Sequence, residues 1–329
     1  MKAKPKTELA HEFIERFPRH SQRAIAHALY AEHPKRFTLD EAISLVKNVI
    51  LRNKGKSLPP VAYDKANAGK VPPALPKSHA KPWLPFVVDH SKGLRVGILS
   101  DIHIPYHDDA AVACALDQLE RSKVNLILLN GDLCDFYKIS RWEQDPEKRT
   151  FAQEIADIRQ FLAHLRHRFP SAEIILKLGN HEERLWPYIW RKCPELLGID
   201  ALSFGALIHA DKHGVEIVGE QRIIMLGKLP VLHGHEMPKG MTSPVNPARG
   251  MFLRVSDRGL MGHLHRTSEH TETTMLDRTI TCWSTGCLCD MNPEYARLNK
   301  WNHGFAEVAV SRNGEFSVTN HRIRHGRIL

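Results

Sequence analysis

The sequence has no long apolar run. Nowhere do its 329 residues approach the roughly 18 consecutive apolar positions that a bilayer-spanning helix needs. The first residues, MKAKPKTELAHEF, lack the apolar core of a secretory signal. The expectation is a cytoplasmic protein without membrane contact. Cysteine is scarce as well, and six in a chain of this length do not make a disulfide scaffold. Cys282, Cys287 and Cys289 cluster in TCWSTGCLCD, but no second pair accompanies them, which favours buried free thiols over a zinc site. No internal repeat is visible, and an apolar share of 42% with 25% charged residues is that of an ordinary globular chain.

Negative charge is short in one region only. Residues 1–92 carry 17 Lys and Arg against 8 Asp and Glu, while residues 93–329 hold 29 of each sign. The whole excess of +9 therefore sits in the first quarter of the chain. A basic appendage on a neutral body suits a polyanion such as nucleic acid, and suits equally a solvated Lys-rich arm.

Three amphipathic helices are expected in this appendage. Residues 8–17 place Leu9, Phe13, Ile14 and Phe17 at helical spacing. A second helix runs from Ser21, a plausible N-cap, to His33-Pro34. A third begins at Thr38, where TLDE forms a capping box with Glu41, and ends at Gly55. Residues 1–56 thus outline a small all-α, helix-turn-helix-like domain. Seven prolines within residues 57–92 exclude a helix or central strand and mark a linker.

From Leu94 the pattern changes. LRVGILS (94–100), VNLILLN (124–130) and AEIILKL (172–178) read as buried strands, separated by helices over 109–121 and about 148–168. This β-α-β-α-β order predicts an α/β domain over residues 93–329 with a parallel sheet between helices. Further short strands are expected near 215–226, 229–233, 258–262, 268–274, 278–284 and 304–310.

The residues that follow these strands carry the chemistry. SDIHIPYH supplies Asp101 and His103, and NGDLCD supplies Asp132 and Asp135. KLGNHEERLW supplies Asn180 and His181, VLHGHE supplies His233, and LMGHLHR supplies His263 and His265. Ligands bind outside the carboxyl ends of strands in open α/β sheets. Five strand ends delivering Asp, His and Asn to one edge meet the needs of a metal centre. Carboxylate, imidazole and amide oxygen together suit borderline divalent ions such as manganese, iron or zinc. There are donors enough for two ions that share one carboxylate.

The order Asp-x-His, Gly-Asp-x-x-Asp, Gly-Asn-His-Glu, His, Gly-His-x-His resembles the calcineurin-like metallophosphoesterase superfamily, over residues 94 to about 312. The resemblance implies a four-layer αββα sandwich around two divalent metal ions, manganese first, with Fe, Zn, Ni or Mg as alternatives. One ion would be held by Asp101, His103, Asp132 and His265. The other would be held by Asp132, Asn180, His233 and His263, with His235 a rival to His233. His181 would face the substrate and protonate the leaving group, Asp135 would hydrogen-bond it, and Glu182 would support the turn. Arg184 and Arg141 lie just beyond metal-binding turns and could meet phosphate oxygens or simply form solvent ion pairs.

Hydrolysis would proceed by attack of a hydroxide generated on the ions, without a phospho-enzyme. Phe136 stands where the protein-phosphatase branch usually has Arg, which weakens a phosphoprotein reading. The basic N-terminal domain, and a layout similar to phage and prophage phosphoesterases, favour a phosphodiesterase acting on nucleic acid or nucleotides. The alternatives are a phosphomonoesterase, or a nucleic-acid-binding protein with a silent phosphoesterase scaffold.

Overall fold

The computed structural model describes residues 4–17, 20–53, 76–80, 82–219, 221–237 and 245–329. The chain divides into two compact units, Met1–His79 and Ala80–Leu329.

In the first unit, periodic apolar residues and side-chain caps set three helices: α1 (Lys6–Arg16), α2 (Gln22–Glu32) and α3 (Leu39–Asn53). Ser21 Oγ accepts the Ala24 N–H at 3.2 Å and starts α2. Thr38 and Glu41 cap each other at the start of α3: the Glu41 N–H reaches Thr38 Oγ1 at 3.2 Å, and the Thr38 N–H reaches the Glu41 carboxylate at 3.0 Å. Leu9, Phe13, Ile25, Leu29, Phe37 and Val46 bury the shared apolar face. Gly55, and linker prolines 59, 60, 72 and 73, lie outside the described residues.

The second unit opens with β1 (Phe86–Val87), inside the stretch expected to be linker. It pairs in parallel with a later strand, and Val88 beyond it is buried, because the chain is free of proline again after Pro85. Next come β2 (Leu94–Leu99), α4 (Asp109–Arg121), β3 (Leu126–Asn130), α5 (Phe151–Arg168) and β4 (Glu173–Lys177). They are followed by α6 (Leu185–Lys192), α7 (Phe204–Leu207), β5 (Val215–Val218), β6 (Ile224–Leu226), β7 (Leu229–Leu232), α8 (Pro247–Val255) and β8 (Gly259–Met261). β9 (Ser268–Thr273), β10 (Thr279–Ser284), β11 (His303–Val310), β12 (Phe316–Arg324) and β13 (Arg327–Ile328) complete the chain.

These strands form two sheets. One has seven strands in the order β13-β12-β11-β2-β3-β4-β5, parallel from β2 to β5. The other has six, ordered β1-β6-β7-β8-β10-β9. Period-two alternation sorts each central strand between two cores. Val96, Ile98, Leu126, Leu128 and Ile175 face the second sheet and meet Ile224, Val231 and Leu260 there. Ile127, Leu129, Ile174 and Leu176 face outward onto α4 and α5. Behind the second sheet, Ala248 and Met251 of α8 pack on Leu232, Met261 and Cys282. The result is the four-layer αββα sandwich.

One local expectation changes, and two features go beyond the sequence pattern. The apolar stretch 215–226 is not one strand: β5 joins the first sheet and β6 the second, with the chain crossing between them. Residues 316–328, to which the sequence reading assigns no element, form the β12–β13 hairpin at the edge of the first sheet. Asn180 caps no helix. Glu182–Arg184 make one tight 3-10 turn, and α6 begins only at Leu185. Among the described residues, no helix is long and apolar enough to cross a membrane.

Candidate metal centre

Parallel strands end in loops on one edge, and here the loops after β2, β3, β4, β7 and β8 converge. Asp132, after β3, is at their centre. Its Oδ2 lies 3.3 Å from His233 Nε2, 3.8 Å from His103 Nε2 and 3.9 Å from His181 Nε2. Asp101 Oδ1 lies 3.1 Å from His265 Nε2, and Asp101 Oδ2 accepts the His263 N–H at 2.8 Å. The ligating atoms of Asp101, Asp132, His233 and His263 all fall within 4.8 Å of one another, as do those of His103, Asp132 and His181. The grouping thus differs from the expected division: Asp101 sits with the His233 and His263 group as well as beside His265, and His181, expected to face the substrate, falls within reach of His103 and Asp132.

The backbone confirms that these side chains are held against local preference. Asp101, His103, Asp132, His263 and His265 all adopt φ between 52° and 66°, the left-handed region. For residues other than glycine this costs about 1–3 kcal/mol each, and the surrounding packing must supply it. Two glycines make the approach possible. A Cβ on Gly179 would collide with the Asp132 carboxylate and backbone, and one on Gly262 with the Ser100 hydroxyl.

The donor set fits divalent cations. Asn180 Oδ1, His233 Nε2 and His263 Nδ1 are buried and make no hydrogen bond among the described residues. Unmatched buried polar atoms are rare and call for a partner. His103 Nε2 and His265 Nε2 face each other at 3.3 Å, where two lone pairs repel unless a proton or cation lies between them. Burial alone would push the Asp101 and Asp132 carboxyls up, yet the imidazoles of His265 and His233 outweigh it and hold both ionised. His263 is pushed down to about 4 by burial and then by the charge of His233, so it presents a neutral ring. Ligation requires ionised carboxylates and neutral imidazoles. Burial opposes charge on His233 and His265, but Asp132 and Asp101 outweigh it and pull the His233 ring up to about 10 and the His265 ring up as well, so a cation binding there displaces a proton from each.

Tautomers are set by the atoms behind the ligands. His233 Nδ1 donates to the Asn130 carbonyl at 2.7 Å, which leaves Nε2 facing Asp132 as the atom a cation would take. His103 Nδ1 lies 3.2 Å from the Asp135 carboxylate with the same consequence. Asp135 therefore serves two rings: its carboxylate is 3.4 Å from His181 Nδ1, and its backbone oxygen takes the shorter bond to that nitrogen, 2.7 Å. Glu182, fully buried, accepts the N–H groups of Asp132 (3.0 Å), Gly179 (2.7 Å) and Cys134 (3.1 Å) and so ties the β3 and β4 turns together. His235 points elsewhere, bonding Glu183 at 3.1 Å.

The three clustered cysteines do not converge on one point. All six cysteines are free. Cys282 bonds the Asp257 carbonyl at 3.2 Å, away from the centre, whereas Cys289 Sγ lies 3.8 Å from His265 Nδ1. The ligating atoms of His103, His265 and Cys289 also fall within 4.8 Å of one another, a proximity that the sequence reading did not anticipate. Donation of its S–H to Cys287, together with burial, pushes the Cys289 thiol well up, so it backs the His265 ring as a neutral group.

Outside the cluster lies a cleft of about 730 Å3, with Asn180 and His263 in its wall. Arg184 lines it, donating to the Asp135 carbonyl and to His181 Nε2, each at 2.8 Å. Arg141 lines it too, its guanidinium 4.8 Å from the centre of the Trp142 ring. Among the described residues neither arginine pairs with a carboxylate. Trp142 and Arg191, in the same wall, went unread in the sequence, although the Arg-Trp dipeptide was a usable signal. Phe136 is fully buried against Phe151 and Phe204, so no cation stands at that position.

No curated protein matches the chain. Among solved structures, a single mutant of Vps29 from Entamoeba histolytica is 13% identical, with a TM-score of 0.38 over 72% of this chain and 96% of that one. Vacuolar protein sorting 29 from Cryptosporidium parvum is 14% identical, with a TM-score of 0.37 over 72% and 95%. Yfce, a phosphoesterase from E. coli, is 14% identical, with a TM-score of 0.31 over 69% and 98%. The family model for calcineurin-like phosphoesterases matches residues 94–297. That span contains every ligand candidate, and the chain belongs to the calcineurin-like phosphoesterase family of metal-dependent phosphoester hydrolases.

Proposed function

We propose that this chain is a dinuclear, manganese-preferring phosphodiesterase acting on nucleic acid or nucleotides in the cytoplasm. The observation that carries the reading is the set of buried, unmatched atoms on Asn180, His233 and His263 around the Asp132 carboxylate. Asp101, His103, Asp132 and His265 would hold one ion, and Asp132, Asn180, His233 and His263 the other. Bound there, two ions supply Lewis acidity at the phosphoryl oxygens and a water acidic enough to attack at neutral pH.

The chain's own residues then orient and protonate. Asp135 fixes the rings of His103 and His181, and Glu182 fixes the turn that carries His181. His181 hands a proton from Nε2 to the departing oxygen as the P–O bond breaks. Its affinity for that proton is raised: burial opposes, but the charges of Asp132 and Asp135 outweigh it. Arg184 and Arg141 meet the nonbridging phosphate oxygens.

Two features support a nucleic-acid diester over a phosphoprotein. Phe136 is locked in the core, and the cleft is lined by arginines. Six free cysteines suit a reducing compartment. The N-terminal unit would add polyanion affinity through its exposed Arg23, Lys35 and Lys47. Three of its other cations are already paired, Lys4 with Glu12, Lys6 with Glu41 and Arg16 with Glu32. The first turn of α3 carries Asp40 and Glu41, which disfavours insertion of that end into a groove, so phosphate contact rather than base reading is the role assigned.

The test is metal reconstitution. Protein stripped with EDTA is expected to be inactive on bis-p-nitrophenyl phosphate and to recover with two equivalents of Mn2+. Asp132→Asn should bind less metal and lose at least about a hundredfold in rate. Stripped protein or the variant matching the wild type would end the hydrolytic reading. Preference for p-nitrophenyl phosphate over the diester would replace the diesterase by a phosphomonoesterase.

A further inference from the structure

Trp142 is 68% exposed, an unusual position for the largest apolar side chain, whose burial stabilises a fold more than any other. It contributes little to the core and stands instead in the wall of the cleft that Asn180 and His263 border. The Arg141 guanidinium lies 4.8 Å from the ring centre and orients the indole. The remaining ring surface is free for a second flat partner. Arg184 and Arg191 line the same cleft. The carboxylate in that wall, Glu183, is engaged by His235 and Gln221, each at 3.1 Å, so the wall as a whole presents positive charge. A flat apolar surface beside several guanidinium groups matches a ligand that joins an aromatic ring to a phosphate.

We propose that Trp142 is a stacking platform for an unpaired nucleobase, which places the diester that carries this base against Arg184 and Arg141, with Arg191 adding charge to the same wall, and makes single-stranded nucleotidyl diesters the preferred substrate. This rests on the phosphodiesterase reading given above and adds the source of its specificity. Stacking on aromatic side chains tolerates any base, because every base has a flat π-face. The chain therefore selects for a base being present and unpaired, with little selection for its identity. Duplex substrates, whose bases are already stacked on one another, are poorer.

Two diesters with one leaving group separate the base from the chemistry. Thymidine 5′-p-nitrophenyl phosphate and methyl p-nitrophenyl phosphate both release nitrophenolate, and only the first keeps a base. In the manganese-loaded full chain, kcat/KM for the thymidine ester is expected to exceed that for the methyl ester by about tenfold or more, the effect typical of one stacked base. Trp142→Ala should bring that ratio close to one, and Trp142→Phe should retain most of it. A wild-type ratio near one overturns the proposal. So does a Trp142→Ala variant that slows both esters equally and keeps the ratio, since that is the signature of a structural role. Failure to hydrolyse either diester, with the monoester still cleaved, instead removes the phosphodiesterase reading and the proposal with it.

Discussion

Arg184 Nη2 lies 2.8 Å from His181 Nε2, while His181 Nδ1 faces the backbone oxygen of Asp135 at 2.7 Å. A guanidinium has only donors, so Nε2 accepts in this arrangement and the ring is neutral, with its proton on Nδ1. Donation to a leaving group needs a second proton on Nε2, and that requires Arg184 to turn away. A phosphate entering the cleft gives the guanidinium a better acceptor and frees the nitrogen. On the proposed mechanism, Arg184 would thus couple substrate arrival to the availability of His181 as the acid.

The first prediction follows from the sign of that charge. Arg184 lowers the proton affinity of His181, and the carboxylates of Asp132 and Asp135 raise it. In Arg184→Ala the lowering contribution is gone, so protonated His181 persists to higher pH. The alkaline limb of the kcat/KM profile should move upward, and KM for a diester should rise by about tenfold for the lost charge-assisted contact. A limb that stays in place or moves to lower pH would show that His181 is not the group being read.

Leaving groups offer a second check on the same residue. Nitrophenolate departs without a proton, whereas an alkoxide needs one. His181→Ala should therefore lower the rate on p-nitrophenyl esters by about tenfold at most. Its effect on a dinucleotide, whose leaving group is a sugar hydroxyl, should reach the roughly 100- to 10,000-fold expected of a missing general acid. Equal losses on the two substrates would assign His181 to phosphate binding instead.

The convergence of the candidate donors was legible in the sequence because each follows an apolar run that reads as a buried strand, and strand ends meet at one edge. Asp101, Asp132 and His263 needed no structure to be paired with a strand. Relations between distant segments were not legible. Glu182 touches N–H groups of Asp132 and Cys134, some fifty residues away, and nothing in GNHEERLW reveals that. The run 215–226 is evenly apolar, so its partition between two sheets is decided by the chain crossing and not by composition. Asn180 follows its strand as a helix cap would, yet its amide oxygen is buried without a hydrogen-bond partner among the described residues, and the helix starts only at Leu185. Trp142 follows no strand end and belongs to no motif, so only its place in the cleft wall singles it out.

Glu182 gives the third prediction. Its two oxygens accept three backbone N–H groups and the Cys134 thiol, all buried. Glutamine can keep one acceptor oxygen but turns an NH2 group toward donors, leaving them unmatched. Glu182→Gln should lose on the order of 3 kcal/mol of stability. The same change should weaken manganese binding measured by calorimetry, because the turns carrying Asp132 and Asn180 are no longer tied together. An unchanged melting temperature with an unchanged metal isotherm would mean that the turns hold themselves.

Glu154 of α5 accepts the Phe136 N–H beneath the same turn, and burial first, then the charge of Asp135, pushes its carboxyl up to about 8. A carboxyl whose folded value exceeds its unfolded value near 4.5 retains its proton in the native state while the unfolded chain releases it. Its contribution is therefore complete below pH 4.5 and is lost as pH climbs toward 8. Across that window the wild type should lose about 4 kcal/mol through this one group. Glu154→Gln keeps a neutral acceptor of the same shape, so urea unfolding should find the two proteins similar at pH 5 and the variant more stable at pH 8. Other titrating groups act on both proteins alike and cancel in the difference. Parallel stability curves across the window would place an ionised carboxylate at Glu154 and require an unseen cation or water beside it.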